Sequence, residues 1–403
     1  MAFNTTANRR IFYATQGVAV GDIGATSVID SWGASDGTST INGSGKMIIM
    51  HGLQSIGINT NFNLEQIFEL GQLSLYENVE TVPDIEISME KVMDGYTMLY
   101  HAGTVSATDP TLTGRSNARA DVRMVIGLDT DSAVSSGDSL AAELYCSGTY
   151  LSSAAYSMSA EGNFTETVSF VGNNKKWFSA ANAQLLLGSG SSVHPVFAFG
   201  SDSPDSPDSG IMRTNNFLTG SGLRTFGGST FVTVVPSFIQ GVSNNGSTLS
   251  QTSASSYRNC GTIDTNLVHI QSISFNVSLG RESIQQLGTL APYYRYTTFP
   301  VEVTTDIEVI AVGGDNIDAV EDIPSGGNLS NHTIQTCLQD STVIQAGNKN
   351  KLTSVSYGGG DAGGGNAAIT YSLSNFNDFV VLHSGDPINL AKTGVAYFKY
   401  WFT

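Results

Sequence analysis

The chain has 403 residues, with 35 acidic against 18 basic side chains and a formal net charge of −17, which argues against a protein that grips phosphate backbones through clustered Lys and Arg. Apolar residues make up 40% and charged ones only 13%, so real cores can be buried, and the abundance of Gly, Ser, Thr, Asn, Val and Ile favours strands joined by turns. The length suits two or three domains, and no stretch approaches the roughly 20 apolar residues of a membrane-spanning helix, so no membrane insertion is expected.

Met1 to Arg10 carries two arginines without a following apolar run, so no export signal is expected. Gly33-Ala34-Ser35-Asp36-Gly37 fits the G-x-S-x-G pattern of a nucleophile elbow, but the polar run from Thr38 to Gly45 cannot supply the helix that elbow needs. Gly43-Ser44-Gly45-Lys46 echoes a phosphate loop, yet Thr40 stands where the first Gly belongs and Met47 where a hydroxyl should hold magnesium. Neither motif supports catalysis.

From Gln54 onward strand periodicity is clear. Ile85, Ile87 and Met89 alternate with Asp84, Glu86, Ser88 and Glu90, giving one buried and one wet face. Leu64 to Leu70 fits either a short helix capped by Asn63 or an extended arm, and the Glu65/Ile67/Glu69 spacing favours the arm. Residues 186–228 look irregular: Gly188 to Ser192 and the triplet run Asp202-Ser203-Pro204-Asp205-Ser206-Pro207-Asp208 are linker chemistry. Asp202, Asp205 and Asp208 would share one face of a polyproline helix; a solvated acidic loop is the expected outcome, because calcium loops space their ligands by two.

Further on, Ile273, Phe275, Val277 and Leu279 alternate with Ser272, Ser274, Asn276 and Ser278, and Val301, Val303, Thr305 and Ile307 alternate with Glu302, Thr304, Asp306 and Glu308. A Gly-rich insert spans 358–365, and the chain ends on the aromatic run Tyr397-Phe398-Lys399-Tyr400-Trp401-Phe402, suited to a core strand or a docking strand. Cys146, Cys260 and Cys337 are too few and scattered for a disulfide framework or a zinc ribbon, so free thiols in a reducing cytoplasm are expected. The six histidines show no pair at helical ligand spacing, and no nucleophile, base and orienting group come together. The reading is of a non-enzymatic protein without metal or cofactor.

Self-similarity organises the whole chain. Gln54-Ser55-Ile56 recurs as Gln271-Ser272-Ile273, and the same offset matches Glu65 with Glu282, Gly71 with Gly288, Tyr76 with Tyr293 and Pro83 with Pro300. One deletion then aligns Ile85-Glu86-Ile87 with Val301-Glu302-Val303 and Glu90 with Asp306, and Tyr156-Ser157-Met158-Ser159 recurs as Tyr371-Ser372-Leu373-Ser374. The expected organisation is a β domain over 1–185, an irregular linker over 186–228 and a homologous β domain over 229–403.

The blocks LQSIGINTNFNLEQIFELGQLSLYENVETVPDIEISMEKVMDG and IQSISFNVSLGRESIQQLGTLAPYYRYTTFPVEVTTDIEVIAVGGD, with MSAEGNFTETVSFVGNNKKW, resemble the tail tube (major tail) proteins of tailed bacteriophages. The resemblance implies a mainly β chain of two tandem β-sandwich or β-barrel domains. It also implies a virion part, assembled in the host cytoplasm, that polymerises as stacked rings into a hollow tail tube with other tail proteins, and DNA that passes through without specific binding. A doubled chain in a ring of six domains implies a trimer with pseudo-six-fold symmetry. The acids Asp84, Glu86, Glu90, Glu302, Asp306 and Glu308 on its wet strand faces are either ordinary solvated outer surface or, in the sharper reading, the lining of the channel. Two other readings remain, a tail-hub or head-decoration protein and a secreted adhesin or carbohydrate-binding protein.

Overall fold

The computed structural model of the chain describes residues 16–25, 27–29, 45–107, 109–127, 140–179, 210–219, 224–226, 229–240, 242–243, 259–263, 268–289, 291–318, 320, 329–340, 342–360 and 365–383. The Gly33–Gly37 motif, the Asp202/Asp205/Asp208 triplet, the Gly188–Ser192 tract and the terminal aromatic run lie outside them.

The chain is mainly β. The strands of its first part are β1 (Gln16–Gly21), β2 (Ser27–Ile29), β3 (Lys46–Ile49), β4 (Leu53–Asn61), β5 (Leu64–Phe68), β6 (Leu75–Glu80), β7 (Asp84–Val92), β8 (Arg119–Gly127), β9 (Leu140–Ser159), β10 (Thr165–Gly172) and β11 (Asn174–Ser179), with short helices α1 (Leu99–Ala102) and α2 (Leu112–Arg115). Five short strands follow, β12 (Arg224–Phe226), β13 (Ser229–Phe231), β14 (Val235–Pro236), β15 (Val242–Ser243) and β16 (Cys260–Ile263). The last set is β17 (Ile270–Ser278), β18 (Arg281–Ile284), β19 (Tyr294–Thr297), β20 (Glu302–Ile310), β21 (Gln335–Cys337), β22 (Val343–Gln345), β23 (Lys351–Gly358), β24 (Ala368–Phe376) and β25 (Val380–Leu382).

The alternation read from the sequence sets the faces. On β7 every second side chain, Ile85, Ile87 and Met89, is buried while Asp84, Glu86, Ser88 and Glu90 face outward, and β17 and β20 repeat the pattern. The buried rows join one apolar core with Val20, Ile48, Val122, Met124 and Leu144 beneath the first part of the sheet, and with Ile334, Ile344 and Val381 beneath the second. All three cysteines are free and buried.

β9 is the hinge of this arrangement. Its first half pairs with β8 and β11, its second half with β10 and β17. The strand turns at Gly148, whose φ of +61° favours glycine. Asp121 holds the turn from the facing strand: its carboxylate accepts from the Gly148 amide at 2.8 Å, the Gly24 amide at 2.7 Å and the Tyr145 hydroxyl at 2.8 Å.

A run of eight antiparallel strands results, in the order β4, β7, β10, β9, β17, β20, β24, β23. It divides into two four-strand units of the same order, β4-β7-β10-β9 and β17-β20-β24-β23. The registers agree as well as the order. Gln54 is the bulged residue between the pairs Leu53–Lys91 and Ser55–Glu90, and Gln271 is the bulged residue between Ile270–Val309 and Ser272–Glu308. Gln54 donates to the Gly52 carbonyl at 3.2 Å and Gln271 to the His269 carbonyl at 3.3 Å. At the other end, Ser152 bulges opposite the Ser169–Phe170 step and donates to the Ser169 carbonyl at 3.0 Å. Thr353 bulges in the same place and donates to the Ser372 carbonyl at 2.9 Å.

These registers correct three alignments made from sequence. Ser55 and Ser272 are equivalent, so their partners Glu90 and Glu308 are too; Glu90 is not equivalent to Asp306, and Ile85 matches Val303 rather than Val301. The step between the units gains a residue there instead of losing one. Because side chains alternate with period two, an error of two residues keeps every apolar residue inward and leaves no trace in the pattern. The tetrads at 156–159 and 371–374 lie on β9 and β24, which are the fourth and third strands of their units. Ser alternating with an apolar residue recurs on many strands of this face, so matches between non-equivalent strands arise easily.

Candidate assembly surfaces

Three features stand out on the eight-strand run: its open face, two projecting hairpins and its two edges. All six sequence-selected acids lie on the open face. Asp84, Glu86, Glu90 and Glu302 are exposed, and Asp306 and Glu308 are partly buried. Asp306 accepts from the Ser372 hydroxyl at 2.6 Å and Glu308 from the Ser272 hydroxyl at 3.1 Å. Asp84 is paired with Arg295 and also accepts from the Asn63 amide at 3.1 Å. Around them the face is mostly Ser, Thr, Asn and Gly, with a few apolar residues such as Ala155 and Val171; the strands from β4 to β24 place no Lys or Arg on it, since Lys91 of β7 is buried on the inner side.

The stretch from Leu64 is the extended arm, not a helix. β5 and β6 form a hairpin, and β18 and β19 form its counterpart with the same pairing, Glu65 opposite Val79 and Glu282 opposite Tyr296. Thr81 donates its amide to the Asn63 carbonyl at 3.0 Å, as Thr298 does to the Gly280 carbonyl at 2.9 Å. Gly71 and Gly288 turn the tips with φ of +91° and +90°. Beside them Leu70 and Leu287 are each fully exposed, at 103%, and Tyr76 and Tyr293 stand in solvent. Pro83 and Pro300 lead back into the sheet, and the Pro83 carbonyl accepts from the Asn173 amide at 2.8 Å.

The two arms differ in what they touch. The second arm lies across the first unit. Arg281 donates to the Leu151 carbonyl at 2.8 Å and the Ser116 carbonyl at 2.6 Å, Tyr294 donates to the Asn117 carbonyl at 3.1 Å, and the Tyr150 and Tyr294 rings meet edge-on at 5.4 Å. Burial lowers the Arg281 pKa to about 10, while the neighbouring Tyr150 and Tyr294 act the other way. The first arm has exposed side chains throughout β5.

At the edges, among the described residues, β4 pairs only with β7 and β23 only with β24. Sequence reasoning placed the acids on one strand face and favoured the extended form of the first arm; it did not read the second arm. It missed the edge residues Phe62, Lys351 and Tyr357 and the clamp formed by Arg281 and Arg295, because these follow from strand order. The histidines, read as dispersed, are partly brought together: the buried rings of His101 and His383 lie 6.2 Å apart. Among the described residues no group of three metal-ligating side chains occurs.

No family model matches the chain, and no curated relative matches it in sequence. Among solved structures it is similar to a chain of an extracellular contractile injection system, the PVC sheath–tube complex in the extended state, at 12% identity and a TM-score of 0.28, covering 43% of this chain and 94% of that one. It is similar to the tube-terminating cap of the anti-feeding prophage at 10% identity and a TM-score of 0.28, covering 44% and 99%. A chain from the tail of an empty gene transfer agent particle gives 15% identity and a TM-score of 0.22, covering 36% and 96%. Scores this low do not establish a common fold.

Proposed function

We propose that this chain is a structural subunit of a phage-type tail tube, a doubled unit that polymerises with itself into rings and stacks them into a hollow tube. The observation that carries the reading is the pair of strand edges, β4 and β23, unpaired among the described residues, at the ends of the eight-strand run built from two like units. Open edges are a hazard in a monomer and an interface in a polymer. An eight-strand run whose ends meet those of further copies has no end left once the ring closes. The uncovered apolar arm tips are the second surface, suited to contacts along the stack. Low Lys and Arg content on the open face suits a wall along which DNA slides rather than sticks. In this reading the chain comprises a β domain over 1–185, a linker over 186–228 and a second β domain over 229–403. Ring closure by three chains gives a pseudo-six-fold ring.

Negative-stain imaging of the purified chain tests the reading. Tubes support it, closed unstacked rings point to a hub or decoration protein, and monomers at high concentration point away from any assembly role.

A further inference from the structure

The chain contains its own template for the contact between copies. Inside it, the last strand of the first unit, β9, pairs antiparallel with the first strand of the second, β17, with Tyr156 opposite Phe275 and Ala155 opposite Asn276. The free edges are the remaining first strand, β4, and the remaining last strand, β23. They are the same two edges, with no partner among the described residues.

We propose that β23 of one chain pairs antiparallel with β4 of the next copy in the register of the internal junction, placing Ile58 opposite Tyr357, Asn59 opposite Ser356 and Thr60 opposite Val355. This rests on the ring-forming reading above and specifies it to the residue. The register follows from the ladders already given: the bulges fix Gln54 on Gln271 and Ser152 on Thr353, so Phe275 maps to Ile58 and Tyr156 to Tyr357.

Burial supports the assignment from both sides. Tyr156 is 0% exposed beside β17, whereas its equivalent Tyr357 is 54% exposed. Leu279, just past β17, is 2% exposed, and its amide donates to the Ser152 carbonyl at 2.8 Å. The equivalent Phe62, just past β4, is 68% exposed. A neighbour's β23 would cover Phe62 and offer it the Thr353 carbonyl. The arms follow the same rule: the internal Tyr150–Tyr294 contact maps to Lys351 against Glu77, so opposite charges meet where the chain itself uses two aromatic rings. The contact is head-to-tail, since one chain gives β23 and the next gives β4.

The test mixes full-length Asn59→Cys chains with full-length Ser356→Cys chains, oxidises the assembled sample mildly and measures covalent dimers. Within one chain β4 and β23 are seven strand spacings apart, roughly 34 Å at about 4.8 Å each, far beyond the ~7 Å Cα reach of a disulfide. The native thiols are buried. We expect dimers in the mixture, none from either variant alone, and about tenfold less when Ser354→Cys replaces Ser356→Cys. Dimers from Asn59→Cys alone, or a higher yield with Ser354→Cys, would overturn the proposed pairing. Tubes or rings that form normally without any Asn59–Ser356 dimer would overturn it too, while leaving the ring-forming reading intact. A wild-type chain that forms no particles would remove both.

Discussion

Tyr156 and Tyr357 occupy the same position in their respective units, yet Tyr156 is sealed between β10 and β17 while Tyr357 stands at an open edge. The difference is not in the residue but in the neighbour. It separates side chains that hold the monomer together from side chains that wait for another copy.

Phe62 and Leu279 give the first expectation. Leu279→Ala removes a buried side chain and should destabilise the fold by about 2–5 kcal/mol. Phe62→Ser removes an exposed one and should leave the thermal unfolding of the monomer nearly unchanged while sharply reducing assembly. Unfolding curves paired with sedimentation of the same samples check both halves.

A charge exchange tests the arm contact. Lys351→Glu should weaken assembly by setting like charges together, and adding Glu77→Lys should restore it. Light scattering during assembly reads the rescue, and no recovery in the double variant counts against the contact.

Arg281 is asked to tie the second arm to the first unit. Arg281→Ala leaves the carbonyls of Leu151 and Ser116 without that donor, a loss of about 1–3 kcal/mol where the groups stay buried. Chemical denaturation should show that decrease, with faster amide exchange on β18 and β19.

Glu166 supplies a pH dependence. Burial raises its pKa above the usual 4.5, against the opposing amides of Tyr100 and Leu99, the Lys91 charge and the Tyr156 hydroxyl. With the folded value above the unfolded one, the folded state binds the proton more tightly. The contribution to stability is therefore fullest below about pH 4.5 and falls as pH rises through the folded pKa. Glu166→Gln removes that dependence, so the stability difference between wild type and variant should shift in the variant's favour from pH 4 to pH 7. A difference independent of pH would contradict this.

The open face carries a sharper expectation. If it lines the channel, Glu86→Lys with Glu302→Lys should leave tubes intact and slow genome delivery, because the acids act on phosphates within a Debye length of roughly 8 Å. Normal delivery by assembled double-variant tails would rule out an acidic wall.

Much of this was legible in the sequence where one rule decides. Alternation on Asp84–Glu90 and Ile273–Leu279 gave the faces, and the Glu65/Ile67/Glu69 spacing favoured the extended arm over a helix. Register was not legible to better than two residues, because period-two patterning looks the same after such a slip, and so Glu90 was matched with Asp306 instead of Glu308. Strand order was also hidden. Nothing local in Tyr357 or Lys351 says that β23 is an edge; only the place of β9 beside β17 does.

End-on averages of rings formed by the purified chain test the central claim most directly. Head-to-tail closure of two-unit chains predicts three-fold rings with six similar lobes, each alternate boundary lying within a chain. Rings with six chains would contradict the count, and paired chains joined back-to-back at like edges would contradict the head-to-tail junction itself.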